Sequence, residues 1–368
     1  MLSNKYYSLD NILKNKAQYN IIIGERSNGK TYACLYKAVE NYVKYHKKTA
    51  YIRRWQDDLK GKRGATLFES LASTKAIEKL TNGKWTDVYY YSGRWYLCKW
   101  DEKNVRVNDT EPFAYGFAIS AMEHDKSTSY PDVTTIIFDE FLTRGVYLPD
   151  EFVLFMNVIS TIVRDRYDVT IFMLGNTVNK YCPYFDEMGL TRIKDMKQGQ
   201  IDVYEYGESN DSDTQPLKVA VEYCGSKKSK KNSDTYFAFN NPKLSMITNG
   251  VWELDLYPHC PYKYKPKDIL YTYFIQFDKY TLQCEIIQID DIMFTFIHMK
   301  TSPIKGMPDE LIYNTEYNPN PNYRRSILKA RTSVEGKILW FFKNDLVFYQ
   351  NNDVGEIVKN YINWCKSN

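Results

Sequence analysis

The 368-residue chain predicts an α/β fold: a phosphate-loop domain on a parallel sheet, followed by a smaller α+β domain. Three observations carry this. Tyr19-Asn20-Ile21-Ile22-Ile23 is a β-branched run that leads into Gly24-Glu25-Arg26-Ser27-Asn28-Gly29-Lys30-Thr31. That octet has the form G-x-x-x-x-G-K-[ST], and apolar residues at helical spacing follow it, so it sits between a strand and a helix. Val133-Thr134-Thr135-Ile136-Ile137-Phe138 is a second buried-type strand, and it ends in Asp139-Glu140. Beyond residue 232 the pattern changes to a run of short strands with tight connections.

The first motif assigns chemistry residue by residue. Gly24 and Gly29 let the backbone turn tightly, and the N–H groups of Glu25, Arg26, Ser27 and Asn28 then face phosphate oxygens. Lys30 reaches the β- and γ-phosphates, the Thr31 hydroxyl is a ligand for Mg²⁺, and the helix that starts there adds the positive end of its dipole. Asp139 is placed to hold Mg²⁺ with Thr31, and Glu140 to orient or deprotonate an attacking water. ATP and Mg²⁺ are therefore the expected cofactors.

The remaining elements follow in order. Ser8-Leu9-Asp10 caps a short helix, and residues 49–55 form a strand ending in Arg53 and Arg54. Strand ends of this kind face the ligand crevice, so Arg53 or Arg54 touches nucleotide or the two are a surface pair. Residues 67–80 read as a helix, 86–91 with 94–100 as a hairpin, and 113–120 as a strand. Residues 149–163 carry apolar side chains at helical spacing and end in Arg164-Asp165-Arg166. Residues 169–177 read as a further parallel strand closing on Asn176, either a γ-phosphate sensor or a plain strand-ending turn.

The organisation expected is an ATPase domain over residues 1–197, a linker region over 198–232 with one strand at 217–224, and a C-terminal domain over 233–368. In the last, residues 269–277, 282–289 and 292–298 read as a meander, 324–331 as a basic helical stretch, 338–349 as one or two strands, and 354–365 as a closing helix.

Composition narrows the partners. Net charge is only +4, so nucleic-acid contact has to come from local patches, the candidates being Lys60, Lys62 and Arg63; Lys227, Lys228, Lys230 and Lys231; and Arg324, Arg325, Lys329 and Arg331. Seven scattered cysteines and four histidines argue against a zinc site and for a reduced, cytoplasmic setting. No run approaches the length of a membrane span, so no membrane partner is expected.

The motifs together resemble one family. Gly24 to Thr31 after a buried strand, Ala50-Tyr51-Ile52-Arg53-Arg54-Trp55, Ser129-Tyr130-Pro131-Asp132 running into the Asp139-Glu140 strand, and Val163-Arg164-Asp165-Arg166 occur in the order found in DNA-packaging ATPases of small, short-tailed phages with protein-primed genomes. The resemblance covers most of residues 15–190. It implies an ATPase of the additional-strand, catalytic-glutamate class that forms a homo-oligomeric ring, a pentamer by resemblance. Such a ring docks on the portal of a prohead in the host cytoplasm, with a structural RNA as a further candidate partner, and pumps double-stranded DNA. It also implies that Arg164 acts in trans on the neighbouring nucleotide, with Arg166, Arg144 and Lys126 as competitors, and that Arg53 belongs to a nucleotide-proximal lid. The C-terminal domain is then an RNase H-like nuclease without its chemistry, since Asp278, Asp290 and Asp291 do not make the set of carboxylates a two-metal site needs. Two alternatives stand beside this reading: a nucleotide-dependent assembly or partition switch, and a terminase with active nuclease.

Overall fold

The computed structural model describes residues 7–124, 129–143, 147–148, 150–164, 166–177, 182–207, 216–225, 257–305 and 310–367. The chain divides into two compact units, Met1–Glu253 and Leu254–Asn368.

Among the described residues, the first unit is built on ten strands: β1 (Tyr19–Gly24), β2 (Lys48–Arg53), β3 (Asp87–Tyr91), β4 (Arg94–Trp100), β5 (Arg106–Asn108), β6 (Ala114–Ala118), β7 (Val133–Asp139), β8 (Thr170–Asn176), β9 (Ile201–Tyr206) and β10 (Leu217–Tyr223). Their order is β3-β4-β6-β2-β7-β8-β1-β10-β9, with β5 beside β4. From β6 to β10 every neighbouring pair is parallel. The antiparallel strands lie at the margins, where β3, β4 and β5 form a meander and β9 returns against β10.

The β1 sequence reads as it does because both of its faces are covered. Ile21 and Ile23 pack into one core with Phe138, Phe155 and Ile162. Ile22 points the other way, into a core with Cys34, Leu35 and Val39 from the helix Lys30–Tyr45. A strand with two dry faces has no polar alternation to show.

The expected linker is not one. Ile201–Tyr206 and Leu217–Tyr223 are β9 and β10, and β10 pairs with β1 along its length, from Tyr19↔Val219 to Ile23↔Tyr223. The first unit accordingly runs to Glu253 rather than ending at residue 197. The helix expected over 67–80 is two short ones, Glu69–Ser73 and Ala76–Leu80, because Lys75 takes a left-handed φ of 55° and breaks the ladder between them.

The described residues of the second unit form a six-stranded sheet: β11 (Ile269–Phe277), β12 (Tyr280–Ile289), β13 (Ile292–Met299), β14 (Ile312–Asn314), β15 (Tyr323–Arg324) and β16 (Val347–Tyr349), in the order β15-β14-β11-β12-β13-β16. The first three are the expected antiparallel meander; β14 adds parallel to β11, β15 parallel to β14, and β16 parallel to β13. Residues 324–331 are not helical. The helix comes later, at Ser333–Lys343, where the Thr332 hydroxyl caps it by accepting from the Glu335 N–H at 3.2 Å, and only Val347–Tyr349 of the expected strand region is a strand. Asn352–Ser367 closes the chain as the expected helix.

Candidate nucleotide-binding site

β1 and β7 end at the same edge of the sheet with β8 between them, so the loop after β1 and the acids after β7 face each other. The loop turns at Ser27 (φ 58°) and Gly29 (φ 96°), and Gly29 is the N-cap of Lys30–Tyr45. Gly24 is required by a close approach: a Cβ there would sit 2.9 Å from Cys224 Cβ, on the chain just beyond β10. Between loop and acids lies a cleft of 630 Å³ lined by Arg26, Ser27, Asn28, Gly29, Lys30, Thr31, Asp139, Glu140 and Asn176, among others.

Lys30 is buried, and its Nζ donates to the Glu25 carbonyl at 2.7 Å, to the Gly24 carbonyl at 3.4 Å and to Asn176 Oδ1 at 3.4 Å. Burial pulls its pKa below the usual lysine range, against the raising fields of Cys224, Asp139 and Glu25. Asp139 Oδ2 accepts from Thr31 Oγ1 at 3.1 Å and from the Tyr51 hydroxyl at 3.0 Å; its Oδ1 accepts from the Glu140 N–H at 2.9 Å. Burial pushes the Asp139 carboxyl up, and the Arg53 guanidinium opposes that.

Thr31 and Asp139 are hard oxygen donors within reach of one small cation, so they suit Mg²⁺, which keeps several waters and shares its shell with substrate phosphates. Among the described residues no group of three or more His, Cys, Asp or Glu side chains forms a self-sufficient metal cage.

Glu140 is exposed and has a left-handed φ of 59°, which turns its side chain from the strand toward the cleft mouth. Arg53 Nη2 donates to its Oε2 at 2.7 Å. Burial disfavours the Arg53 charge, but Tyr51, Glu140 and Asp139 outweigh it and its pKa is raised. Arg53 lines a neighbouring cleft of 350 Å³ with Tyr51, Asp58, Arg63 and Trp95, rather than the phosphate cleft itself.

The arrangement gathers most of the residues singled out from the sequence. Glu25 is an exception, with its side chain buried rather than facing the cleft. Arg164 is another: it is exposed just past the helix Glu151–Val163 and does not line the cleft of its own chain. Arg166 is committed elsewhere, donating to the carbonyls of Ile162 (2.7 Å), Pro131 (2.8 Å) and Tyr130 (3.2 Å). Arg144, Lys126 and the lysines at 227, 228, 230 and 231 lie outside the described residues. Sequence reasoning missed Tyr51, although period-2 spacing puts it on the same face of β2 as Arg53.

The model of the Podovirus DNA encapsidation protein (Gp16) family matches residues 1–207. The chain belongs to this family. The DNA packaging protein of Bacillus phage phi29 is 27% identical over 184 residues, 49% of this chain and 49% of its own length. That of Bacillus phage B103 is 29% identical over 174 residues, 46% and 48% of the two chains. The chain thus spans about half the length of the curated relatives it matches. The structure described as the Phi-28 gp11 DNA packaging motor superposes on this encapsidation-family member with a TM-score of 0.55 at 18% identity, covering 99% of each chain, a likeness of fold.

Proposed function

We propose that this protein is the ATP-driven motor subunit that moves double-stranded viral DNA into a preformed prohead. The observation that carries the reading is the convergence of Lys30, Thr31, Asp139 and Glu140 on one cleft. In it the loop binds the phosphates, Thr31 and Asp139 hold Mg²⁺, Asn176 senses the γ-phosphate beside Lys30, and Glu140 activates water. Family membership supplies DNA as the cargo.

The strand order β1-β8-β7 supports the additional-strand, catalytic-glutamate class, because one strand is inserted between the phosphate-loop strand and the acidic strand. Arg164, exposed just past the helix Glu151–Val163, is the residue offered to a neighbouring subunit; Arg166 donates to backbone carbonyls of its own chain. The ring then forms around hydrolysis sites shared by adjacent chains, docked at the prohead portal in the host cytoplasm, with a structural RNA as the remaining candidate partner.

The second unit is read as RNase H-like from its topology: a three-stranded meander extended by two parallel strands beside its first strand. It is read as non-catalytic because the ends of the paired strands β11 and β14 carry amides, Asn314 Nδ2 donating to Gln276 Oε1 at 2.9 Å, where two-metal chemistry needs carboxylates. That pair counts against the active-nuclease alternative.

The test is a mixing experiment. Arg164→Ala and Glu140→Gln chains should each lose turnover while binding nucleotide, and mixtures should regain part of it, because an intact cleft then meets an intact arginine. Full activity of Arg164→Ala alone, or no recovery at any ratio, would remove the shared site. A simple assembly switch would show no increase in ATPase on adding duplex DNA and empty proheads.

A further inference from the structure

Arg53, the last residue of β2, and Arg54, the next, have different destinations. Arg53 serves the Glu140 carboxylate. Arg54 is buried on the other side of the strand, where its Nε and Nη2 grip the Glu151 carboxylate at 2.7 and 2.9 Å. The same guanidinium reaches back to the chain after β7, Nη1 donating to the Glu140 carbonyl at 3.2 Å and Nη2 to the Phe141 carbonyl at 2.7 Å. Glu151, also buried, accepts in addition from the Tyr184 hydroxyl at 2.8 Å and the Leu148 N–H at 2.8 Å.

A buried ion pair serving stability alone would do as well as an apolar pair of the same volume. This one has two features such a pair does not need. Its fork is divided between a carboxylate and two consecutive carbonyls, a task only a planar guanidinium performs. Those carbonyls belong to a turn whose first residue, Glu140, is held left-handed at φ 59° without being glycine, a conformation that persists only where its surroundings over-determine it. Glu151 is in turn the first residue of the helix Glu151–Val163, at whose far end stands Arg164, also at positive φ (50°).

We propose that Arg54 and Glu151 are positioning residues: they hold the Glu140 turn in its reactive conformation and fasten it to the helix that presents Arg164. The proposal rests on the reading of Glu140 as the water-activating group. The residue that completes a neighbour's site and the residue that works in the chain's own site are then parts of one rigid piece.

Steady-state ATP turnover and analogue binding by the full-length chain test this, with Arg54→Lys, Glu151→Gln, Tyr184→Phe and Glu140→Gln compared at temperatures where each is folded. Arg54→Lys keeps the charge but has one nitrogen with three donors in place of the planar fork, so it cannot serve all four oxygens; its kcat should fall about 30-fold with KM within about threefold, as expected for misplacement of a reacting group. Tyr184→Phe removes one bond to Glu151 and should lower kcat about threefold with normal binding. In a Glu140→Gln background Arg54→Lys should cost nothing further. Normal kcat in Arg54→Lys alongside a dead Glu140→Gln overturns the proposal and leaves the parent reading intact; full turnover in Glu140→Gln overturns the parent reading. Should Arg54→Lys not fold, normal kcat in Tyr184→Phe overturns the proposal by itself. Loss of kcat only in step with loss of folded protein and of nucleotide binding reduces the pair to a structural role and also overturns it.

Discussion

Arg53 Nη2 lies 2.7 Å from Glu140 Oε2, and the pair joins the lining of one cleft to the lining of the other. Glu140 is the more exposed partner, its side chain 59% accessible against 17% for Arg53, so solvent screens the contact. Arg53→Met should lower kcat about tenfold, or about 1.4 kcal/mol, the size of one charge-assisted hydrogen bond, with little change in KM. A rise in KM with unchanged kcat would instead make Arg53 a nucleotide ligand.

Gly175 precedes Asn176 on β8 and leaves room for the residues after Glu140. A Cβ there would lie 2.7 Å from Leu142 Cδ1 and 2.9 Å from Phe141 Cε1. Gly175→Ala should therefore destabilise the chain by about 1–3 kcal/mol and push the acidic turn outward. Thermal unfolding reads the first effect; a fall in kcat at normal nucleotide affinity reads the second.

The site was legible where chemistry dictates spacing. Gly24, Gly29, Lys30 and Thr31 are fixed by what phosphate binding demands, and Asp139-Glu140 by the apolar strand before them. Less legible were elements set by tertiary pairing. β9 has half-buried, mixed side chains because it is an edge strand, so neither an apolar run nor a clean alternation marks it. Arg54 read only as one of two arginines that touch nucleotide or form a surface pair, because its anchor, Glu151, lies nearly a hundred residues on. The helix Ser333–Lys343 did leave a sign that sequence reasoning missed: Thr332 and Glu335 have the spacing of a capping box.

The Asn314–Gln276 amide contact predicts how the second unit responds to carboxylates. Replacing both, Gln276→Glu with Asn314→Asp, puts two like charges where a 2.9 Å hydrogen bond now stands. Tm should fall, and millimolar Mn²⁺ should restore part of it while leaving the wild type unmoved. Metal-dependent stabilisation of the wild type would reveal carboxylates this pair does not account for.

His298 supplies the pH dependence. Its Nε2 lies 3.4 Å from Glu285 Oε1, and that contact raises its pKa above the ordinary histidine value, against burial and the nearby Lys300. The folded state holds this proton more tightly than the unfolded chain does. The stabilisation is therefore complete below the unfolded value, about pH 6.5, and is lost as pH rises through the raised one. Tm measured from pH 6 to 9 should show a decline of about 2 °C that His298→Gln lacks. Identical slopes would mean that the pair contributes nothing.

β1 carries the phosphate loop, yet one of its two neighbours, β10, is not made until residue 223. A fragment stopped at residue 197, or at 207 where the family match ends, would leave the hydrogen-bonding edge of Tyr19–Gly24 open beside an apolar face. An unprotected edge of that kind recruits other chains. During synthesis the loop strand must wait for about two hundred residues before its sheet is closed. A truncated nucleotide-binding piece meant for crystallisation should therefore extend through Gly225.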